Sequence, residues 1–184
     1  MPRTFFASAH PDCIQTRKAG VKVDRIIIHT MEGTFTGSLS WFQAGKDTPG
    51  REVPTAAHYL VSREGDICQM VADERKCFHA GNFNSRSIGI EHEARIDPWP
   101  PRRNKDGSLK PPPFPTNDFP LAMLDSSAKI TAIMCKKFDF PPDREHIIGH
   151  AEVPGASHRD PGLMFPWDSF VALVASHHEA LVAP

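Results

Sequence analysis

The sequence predicts an α/β fold, in which a mixed central β-sheet is flanked by α-helices. Short apolar segments with strand character alternate with segments whose apolar residues recur at helical spacing. The chain has 184 residues, enough for one substantial core. Hydrophobic residues make up 40% of it and charged residues 23%, proportions typical of globular proteins. We find no internal repeat or boundary that divides the core, so residues 1–184 are expected to form a single domain.

The predicted strands are short apolar runs. Residues 23–29 contain three consecutive isoleucines and are expected to be buried on both faces of the sheet. Residues 56–61 and 67–71, joined by a turn, predict a hairpin. Further strands are predicted at 77–81, 87–93 and 146–150. In the segment 87–93, alternation puts Ile88, Ile90 and His92 on one face, and Gly89, Glu91 and Glu93 on the other.

Helices are predicted at 38–43, 121–138 and 167–178. The longest, 121–138, has Asp118 as a candidate N-cap and ends before Pro141 and Pro142. Residues 1–22 lack periodicity and are predicted to form an N-terminal arm. Residues 97–120 hold eight of the 18 prolines. Because proline excludes a helix or a central strand, this insertion is predicted to be a long loop, and long loops in compact domains are usually functional or mobile.

Composition excludes several functional classes. The formal charge of −1 gives no electrostatic signature of nucleic-acid or anionic-membrane binding. No apolar run reaches the roughly 20 residues of a membrane span. The first residues lack the apolar core of a signal peptide. We therefore expect either a cytoplasmic protein or one that reaches the cell wall by lysis or a non-classical route.

The four cysteines, Cys13, Cys68, Cys77 and Cys135, match no zinc-finger or CxxC spacing. Free buried thiols are the favoured interpretation, and a Cys68–Cys77 disulfide is the alternative.

Three residues with metal-ligand chemistry follow predicted strands. His29 ends the strand 23–29, His150 ends the strand 146–150, and Asp160 lies in the Gly- and Pro-rich loop that follows. Three protein ligands with one open position are typical of a catalytic zinc site. The alternative for a histidine such as His29 is a core position with a satisfied hydrogen bond.

Two further groups could act beside such a metal. A glutamate near the site could take a proton from water, but alternation alone does not separate Glu91 from Glu93. His158 lies two residues before Asp160. It could stabilise an oxyanion or protonate a leaving amine, and otherwise it is a solvated loop histidine.

Five segments in order resemble the type-2 N-acetylmuramoyl-L-alanine amidases, a family related to phage lysozyme-like amidases and to peptidoglycan-recognition proteins. The segments are Ile28-His29-Thr30, Ala57-His58-Tyr59-Leu60-Val61, Phe78-His79-Ala80-Gly81-Asn82, Ser87-Ile88-Gly89-Ile90-Glu91-His92-Glu93, and Gly149-His150 with Asp160-Pro161-Gly162. The resemblance extends from about residue 23 to about residue 170. The 97–120 loop has no clear counterpart in it.

The resemblance implies a zinc hydrolase that cuts the amide between N-acetylmuramic acid and L-alanine in peptidoglycan or muropeptides, and we expect the protein to be a monomer. It implies zinc on His29, His150 and Asp160, and Glu91 as the catalytic glutamate. His158 stands where many members carry lysine. It also implies a substrate-binding set that lines the cleft: His58, His79, Ala80, Gly81 and Asn82. The alternative for His58 and His79 is a core position, which would require buried hydrogen-bond partners. The rival function is a non-catalytic peptidoglycan-binding module, which the complete ligand set disfavours.

Overall fold

A six-stranded mixed sheet forms the centre of the computed structural model, which describes residues 2–51, 53–98 and 100–183. The predicted fold class is confirmed. The strands in chain order are β1 (Thr4–Phe6), β2 (Ile14–Thr16), β3 (Arg25–Thr30), β4 (Tyr59–Val61), β5 (Ile67–Gln69), β6 (Arg75–Cys77), β7 (Ser87–His92) and β8 (Ile147–Gly149). The sheet order is β1-β5-β4-β7-β3-β8, and β2 and β6 form a separate antiparallel pair.

Strand direction determines where the strands end. Strands β4, β7, β3 and β8 run parallel to one another. Strand β5 runs antiparallel to β4, and the two form the predicted hairpin. The carboxyl ends of β7, β3 and β8 therefore meet at one edge of the sheet. In open α/β sheets this edge is where ligands bind.

The isoleucine run of β3 explains its central position. Ile26 and Ile28 lie in the main hydrophobic core, whereas Ile27 points to the opposite face, and all three have no exposed surface. A strand that is apolar on both faces is stable only when both faces are covered.

Three α-helices flank the sheet: α1 (Phe35–Gln43), α2 (Leu121–Phe138) and α3 (Trp167–Val182). Helices α2 and α3 pack against each other and bury their apolar sides in the main core. Helix α1 begins after Thr34, whose hydroxyl accepts a hydrogen bond from the Gly37 N–H, and it buries Phe42 in a second core on the other face. None of the helices within the described residues is long and apolar enough to cross a membrane.

Two local expectations were wrong. Asp118 does not cap α2. The residue before this helix is Pro120, and the Asp118 carboxylate instead accepts a hydrogen bond from Arg63. The strand expected at 77–81 ends at Cys77, because the chain turns into a short 3₁₀ helix at Gly81–Phe83.

The segment predicted to be an arm contributes two strands, β1 and β2, each of three residues. They are stabilised by pairing with β5 and β6, and such tertiary partners leave no periodicity in the sequence itself. The four cysteines are free and buried, so Cys68 and Cys77 form no disulfide in this structure. In the 97–120 insertion, the described residues form no helix and only one isolated bridge, between Arg103 and Leu109.

Candidate metal-dependent active site

Parallel pairing brings together three side chains from distant parts of the chain. In the register between β3 and β7, His29 lies opposite Glu91. In the register between β3 and β8, Ile28 lies opposite Gly149, so the next residues along the two strands are His29 and His150. His29, on the central strand, is thus flanked by His150 on one side and by Glu91 on the other.

Asp160 joins the two histidines. Its Oδ2 lies 2.8 Å from His29 Nδ1, and its Oδ1 lies 3.1 Å from His150 Nδ1. The centroids of the two imidazole rings are 4.6 Å apart. The loop that carries Asp160 is held against β8, because Ala151 N–H donates to the Asp160 carbonyl and Pro161 packs over Gly149.

This arrangement fits a zinc ion. One ligand atom from each of His29, His150 and Asp160 lies within 4.8 Å of the others. Ligands of a tetrahedral zinc, bound at about 2.0–2.2 Å, are separated by roughly 3.3 Å. Two nitrogens and one carboxylate oxygen are also a donor set of catalytic zinc sites, which leave one position open.

The ionisation states of the ligands suit a cation. Burial lowers the pKa of His29, which keeps its imidazole neutral, as metal binding requires. For Asp160, burial acts to raise the pKa, but hydrogen bonds from His150 and His29 outweigh it and hold the pKa far below its usual range. The carboxylate is therefore ionised at neutral pH and carries the negative charge of the ligand set.

Glu91 has an unsatisfied carboxylate oxygen beside these ligands. Its Oε2 is buried and has no hydrogen-bond partner among the described residues. Burial, together with the negative charges of Asp160 and Glu32, raises the pKa of Glu91 well above its ordinary value. A carboxylate in this state accepts a proton readily, which is the property required of a general base near neutral pH.

His158 lines the same cleft from the loop. Its ring stacks on that of His150, with centroids 5.1 Å apart and planes inclined by 12°. The His158 side chain is exposed. The stack holds the His158 ring beside that of His150 without burying it.

The predicted substrate-binding set divides into two groups. Four of its five residues, from His79 to Asn82, line a groove of about 460 Å³ whose opposite wall includes Gly155 and His158. His79 also lines the cleft of His29, Glu91 and His158, with its Nδ1 3.0 Å from His29 Nε2. The Asn84 side chain accepts hydrogen bonds from the backbone N–H groups of His79 and Ala80 and so fixes this wall.

His58, the fifth member, lies beneath the cleft floor and has no exposed surface. Its Nδ1 accepts a hydrogen bond from Gly89 N–H, so its proton lies on Nε2, 3.1 Å from the Arg75 carbonyl. Both ring nitrogens are engaged by backbone. The structure thus gives His58 the buried partners of a core histidine and no surface for substrate to contact.

Sequence reasoning did not identify two residues that shape the site. Gly89 leaves room for His79, since a Cβ there would lie 2.5 Å from His79 Nδ1. Glu32 lies in the cleft in a left-handed conformation with φ of 51°, and its carboxylate accepts a hydrogen bond from Ile96 N–H. A non-glycine residue with positive φ is uncommon, and at a cleft it is a functional signal available only from structure.

The cleft itself measures about 300 Å³ and is lined by His29, Glu91, His150, His158 and Asp160 together with neighbouring residues. It is open to the groove of His79–Asn82 through their shared walls. All three predicted ligands and both predicted catalytic residues thus face one space.

Comparison with known proteins places the chain in a family of hydrolases. The family described as N-acetylmuramoyl-L-alanine amidase matches residues 19–163. The chain is 31% identical to N-acetylmuramoyl-L-alanine amidase A of Achromobacter lyticus over 174 residues, which cover 85% of each protein. The chain belongs to the N-acetylmuramoyl-L-alanine amidase family.

Solved structures show the same fold. A selenomethionine derivative of AmpD superposes with a TM-score of 0.71 at 20% identity, covering 95% of this chain and 96% of that one. AmiD of E. coli, in complex with anhydro-N-acetylmuramic acid-L-Ala-D-γ-Glu-L-Lys, superposes with a TM-score of 0.62 at 21% identity. That match covers 86% of this chain and 60% of AmiD.

Proposed function

We propose that this protein is a zinc-dependent amidase that hydrolyses the bond between N-acetylmuramic acid and L-alanine in peptidoglycan or its fragments. The observation that carries the proposal is the convergence of His29, His150, Asp160 and Glu91 in one cleft of a chain that belongs to this family. When bound, zinc supplies Lewis-acid chemistry, which polarises a carbonyl and lowers the pKa of a coordinated water.

His29, His150 and Asp160 would hold the ion. Their order on adjacent parallel strands makes the site rigid, because each ligand is fixed by sheet hydrogen bonds or by a loop tied to the sheet. Ligands pre-organised in this way would hold the ion at the wall of the cleft that they line.

Glu91 is proposed as the general base. Its unpartnered Oε2 would take the proton of the attacking water, and the carboxyl group would then pass that proton to the L-alanine nitrogen as the amide breaks. The raised pKa of Glu91 supports both roles, since the same group must accept a proton and then release it.

His158 is proposed to donate a hydrogen bond to the oxyanion that develops on the lactyl carbonyl. A donor of this kind contributes about 2.7–4 kcal/mol to transition-state stabilisation. Its stacking on His150 holds the ring beside the ligands. His79 and the segment Ala80–Asn82 are proposed to bind the substrate on the side of the groove.

The γ-linked glutamate in the ligand of AmiD leaves one carboxylate free. We propose that the substrate of this protein carries such an acidic stem peptide as well.

A non-catalytic binding module would need neither the ligand triad nor an unpartnered glutamate, and both features favour the enzyme.

Mass spectrometry of digested material tests the proposal. The purified protein should release peptides with a free L-alanine amine from peptidoglycan sacculi or from soluble anhydromuropeptides. Elemental analysis should find about one zinc per chain. A chelator should abolish release, and added zinc should restore it. Binding to sacculi without any new amine, by a zinc-loaded protein, would identify a binding module instead.

A further inference from the structure

The tip of the 97–120 insertion is a positively charged hairpin. Residues 101–110 carry four basic side chains and one acidic one, a net charge of +3 in a chain whose net charge is −1. All ten residues are exposed. Lys110 N–H donates to the Arg102 carbonyl and Asn104 N–H to the Ser108 carbonyl, so the hairpin has a defined backbone.

Three of the four basic side chains of this hairpin are available to a ligand. The one acidic residue, Asp106, is engaged within the turn, where its Oδ1 accepts hydrogen bonds from Ser108 N–H and Oγ. Arg103 donates to the Gly107 carbonyl. Within the described parts of the chain, Arg102, Lys105 and Lys110 form no ion pair.

Continuous concave surface connects the hairpin to the catalytic cleft. Ile96 lines both the cleft and a neighbouring cavity of about 750 Å³. Pro98 and Asn117 line both that cavity and a third of about 300 Å³, whose rim includes Arg102 and Lys110.

The base of the insertion is tied to the cleft. Arg95 N–H donates to the Thr116 carbonyl, which closes the loop at its base. Ile96 N–H donates to Glu32, a residue of the cleft wall. The base from which the hairpin projects is therefore held beside the site.

We infer that this hairpin binds a second stretch of the peptidoglycan polymer, through the free carboxylates of stem peptides that are not being cut. The inference rests on the proposed function and specifies its substrate as the polymeric wall. The inference depends on charge complementarity. Arg102, Lys105 and Lys110 form no ion pair among the described residues and lie at the far end of the concave surface that leads from the cleft. The polymer bears a carboxylate at every γ-linked glutamate, so its charges are opposite to theirs. A soluble fragment carries one stem peptide and cannot occupy both places.

The test compares one triple variant with a matched control. The variant R102S/K105S/K110S removes three positive charges and leaves Arg103, which supports the turn. The control K18S/K22S/K46S removes three positive charges from exposed positions that line none of these three cavities. Initial rates are measured for both on intact sacculi and on a soluble anhydromuropeptide, in 50 mM and 500 mM NaCl.

We expect the hairpin variant to lose about tenfold in rate on sacculi at low salt, within the range of electrostatic effects on association. Its rate on the soluble fragment should equal that of the wild type. High salt should slow the wild type on sacculi and largely abolish the difference between the proteins, because it screens charges beyond a few ångströms. The control should behave as the wild type throughout.

A second measurement separates binding from turnover. Cosedimentation with sacculi uses the E91Q background, with and without the hairpin substitutions. Sacculi whose carboxylates have been converted to neutral amides should bind both proteins equally weakly. Equal binding of both proteins to untreated sacculi would overturn the inference, as would an equal loss of rate on polymer and fragment. So would hairpin-dependent binding to phosphatidylglycerol vesicles with none to sacculi.

Failure of the proposed function has a different signature. In that case, neither the wild type nor the hairpin variant releases a free L-alanine amine from sacculi or from the soluble fragment.

Discussion

The Nδ1 atom of His29 lies 2.8 Å from Oδ2 of Asp160, although 131 positions separate the two residues in the chain. The contact depends on the parallel pairing of β3 with β8, which brings the loop of Asp160 over the end of β3.

The two histidines that flank β8 form a matched pair for testing metal binding. His150→Gln removes a proposed ligand, so the zinc content should fall from about one per chain to near zero and activity should be lost with it. His146→Gln changes the residue on the other side of β8, where the ring interacts with Asp143. That variant should keep its zinc. Equal zinc content in both variants, measured by elemental analysis, would contradict the ligand assignment.

Glu91 and Glu93 are distinguished by their partners. Glu91→Gln should lower kcat by about 100- to 10,000-fold, the usual contribution of a general base, while zinc stays bound. Glu93 accepts hydrogen bonds from the backbone N–H groups of Phe35 and Arg63. Glu93→Gln should therefore reduce the free energy of unfolding and affect kcat less. Full activity in the Glu91→Gln protein is the outcome that excludes it as the base.

The role of His158 can be tested by replacing it with the lysine that many family members carry. His158→Lys should keep activity, because a lysine ammonium at this position can also donate a hydrogen bond to the oxyanion. His158→Ala should lower kcat with little change in zinc content. The check is the pH dependence of kcat for the three proteins, and unchanged kcat in the alanine variant would exclude a role in catalysis.

Buried His58 predicts loss of stability in acid. Burial lowers its pKa from 6.5 to about 4 in the folded protein. Between these values the unfolded chain binds the proton more readily, so the free energy of unfolding should fall as the pH drops through this window. The full effect is about 3 kcal/mol, at 1.36 kcal/mol per unit of pKa shift.

Urea unfolding at pH 7 and pH 4.5 measures this effect. Other groups also titrate in the window, so the comparison is between variants. His58→Asn should be less stable at pH 7 and less sensitive to pH than the wild type. His178→Asn, on the last helix, is the control and should retain the sensitivity of the wild type. If the free energy of unfolding changed equally between the two pH values in all three proteins, His58 would not be the source of the acid sensitivity.

Gly89 should be intolerant of a side chain. A Cβ at this position would lie 2.5 Å from Nδ1 of His79, whose ring also lies against His29. Gly89→Ala should cost about 1–3 kcal/mol of stability, the usual range for overpacking, and should reduce activity by displacing His79. Gly33→Ala is the matched control, because its Cβ would meet only the Met31 carbonyl at 3.6 Å. Thermal unfolding with activity assays distinguishes the two.

Residue chemistry and order along the chain were enough to predict the fold class and to select His29, His150 and Asp160 as candidates. Apolar runs such as 26–28 specify central strands because burial on both faces demands them. Residue pattern alone did not decide between Glu91 and Glu93, and it was the family resemblance that implied Glu91. Alternation gives both the same face, and only the register shows that Glu91 lies opposite His29.

Other features could not be predicted because they depend on partners remote in sequence. Strands β1 and β2 have three residues each and are defined by what they pair with. The location of His58 beneath the cleft follows from its hydrogen bonds to Gly89 and Arg75. A motif gives the order of residues along the chain and does not give the depth at which each one lies.

The parallel alignment of β7, β3 and β8 has a consequence for how the protein would acquire the proposed zinc ion. The proposed ligands are supplied by segments that meet only when the centre of the sheet is complete. A partly folded chain in which β8 is not yet docked retains His29 alone at the edge, and a single imidazole holds zinc weakly. Capture of the proposed ion would therefore be complete only after β8 has docked, and the bound ion would in turn favour the finished sheet over less ordered forms.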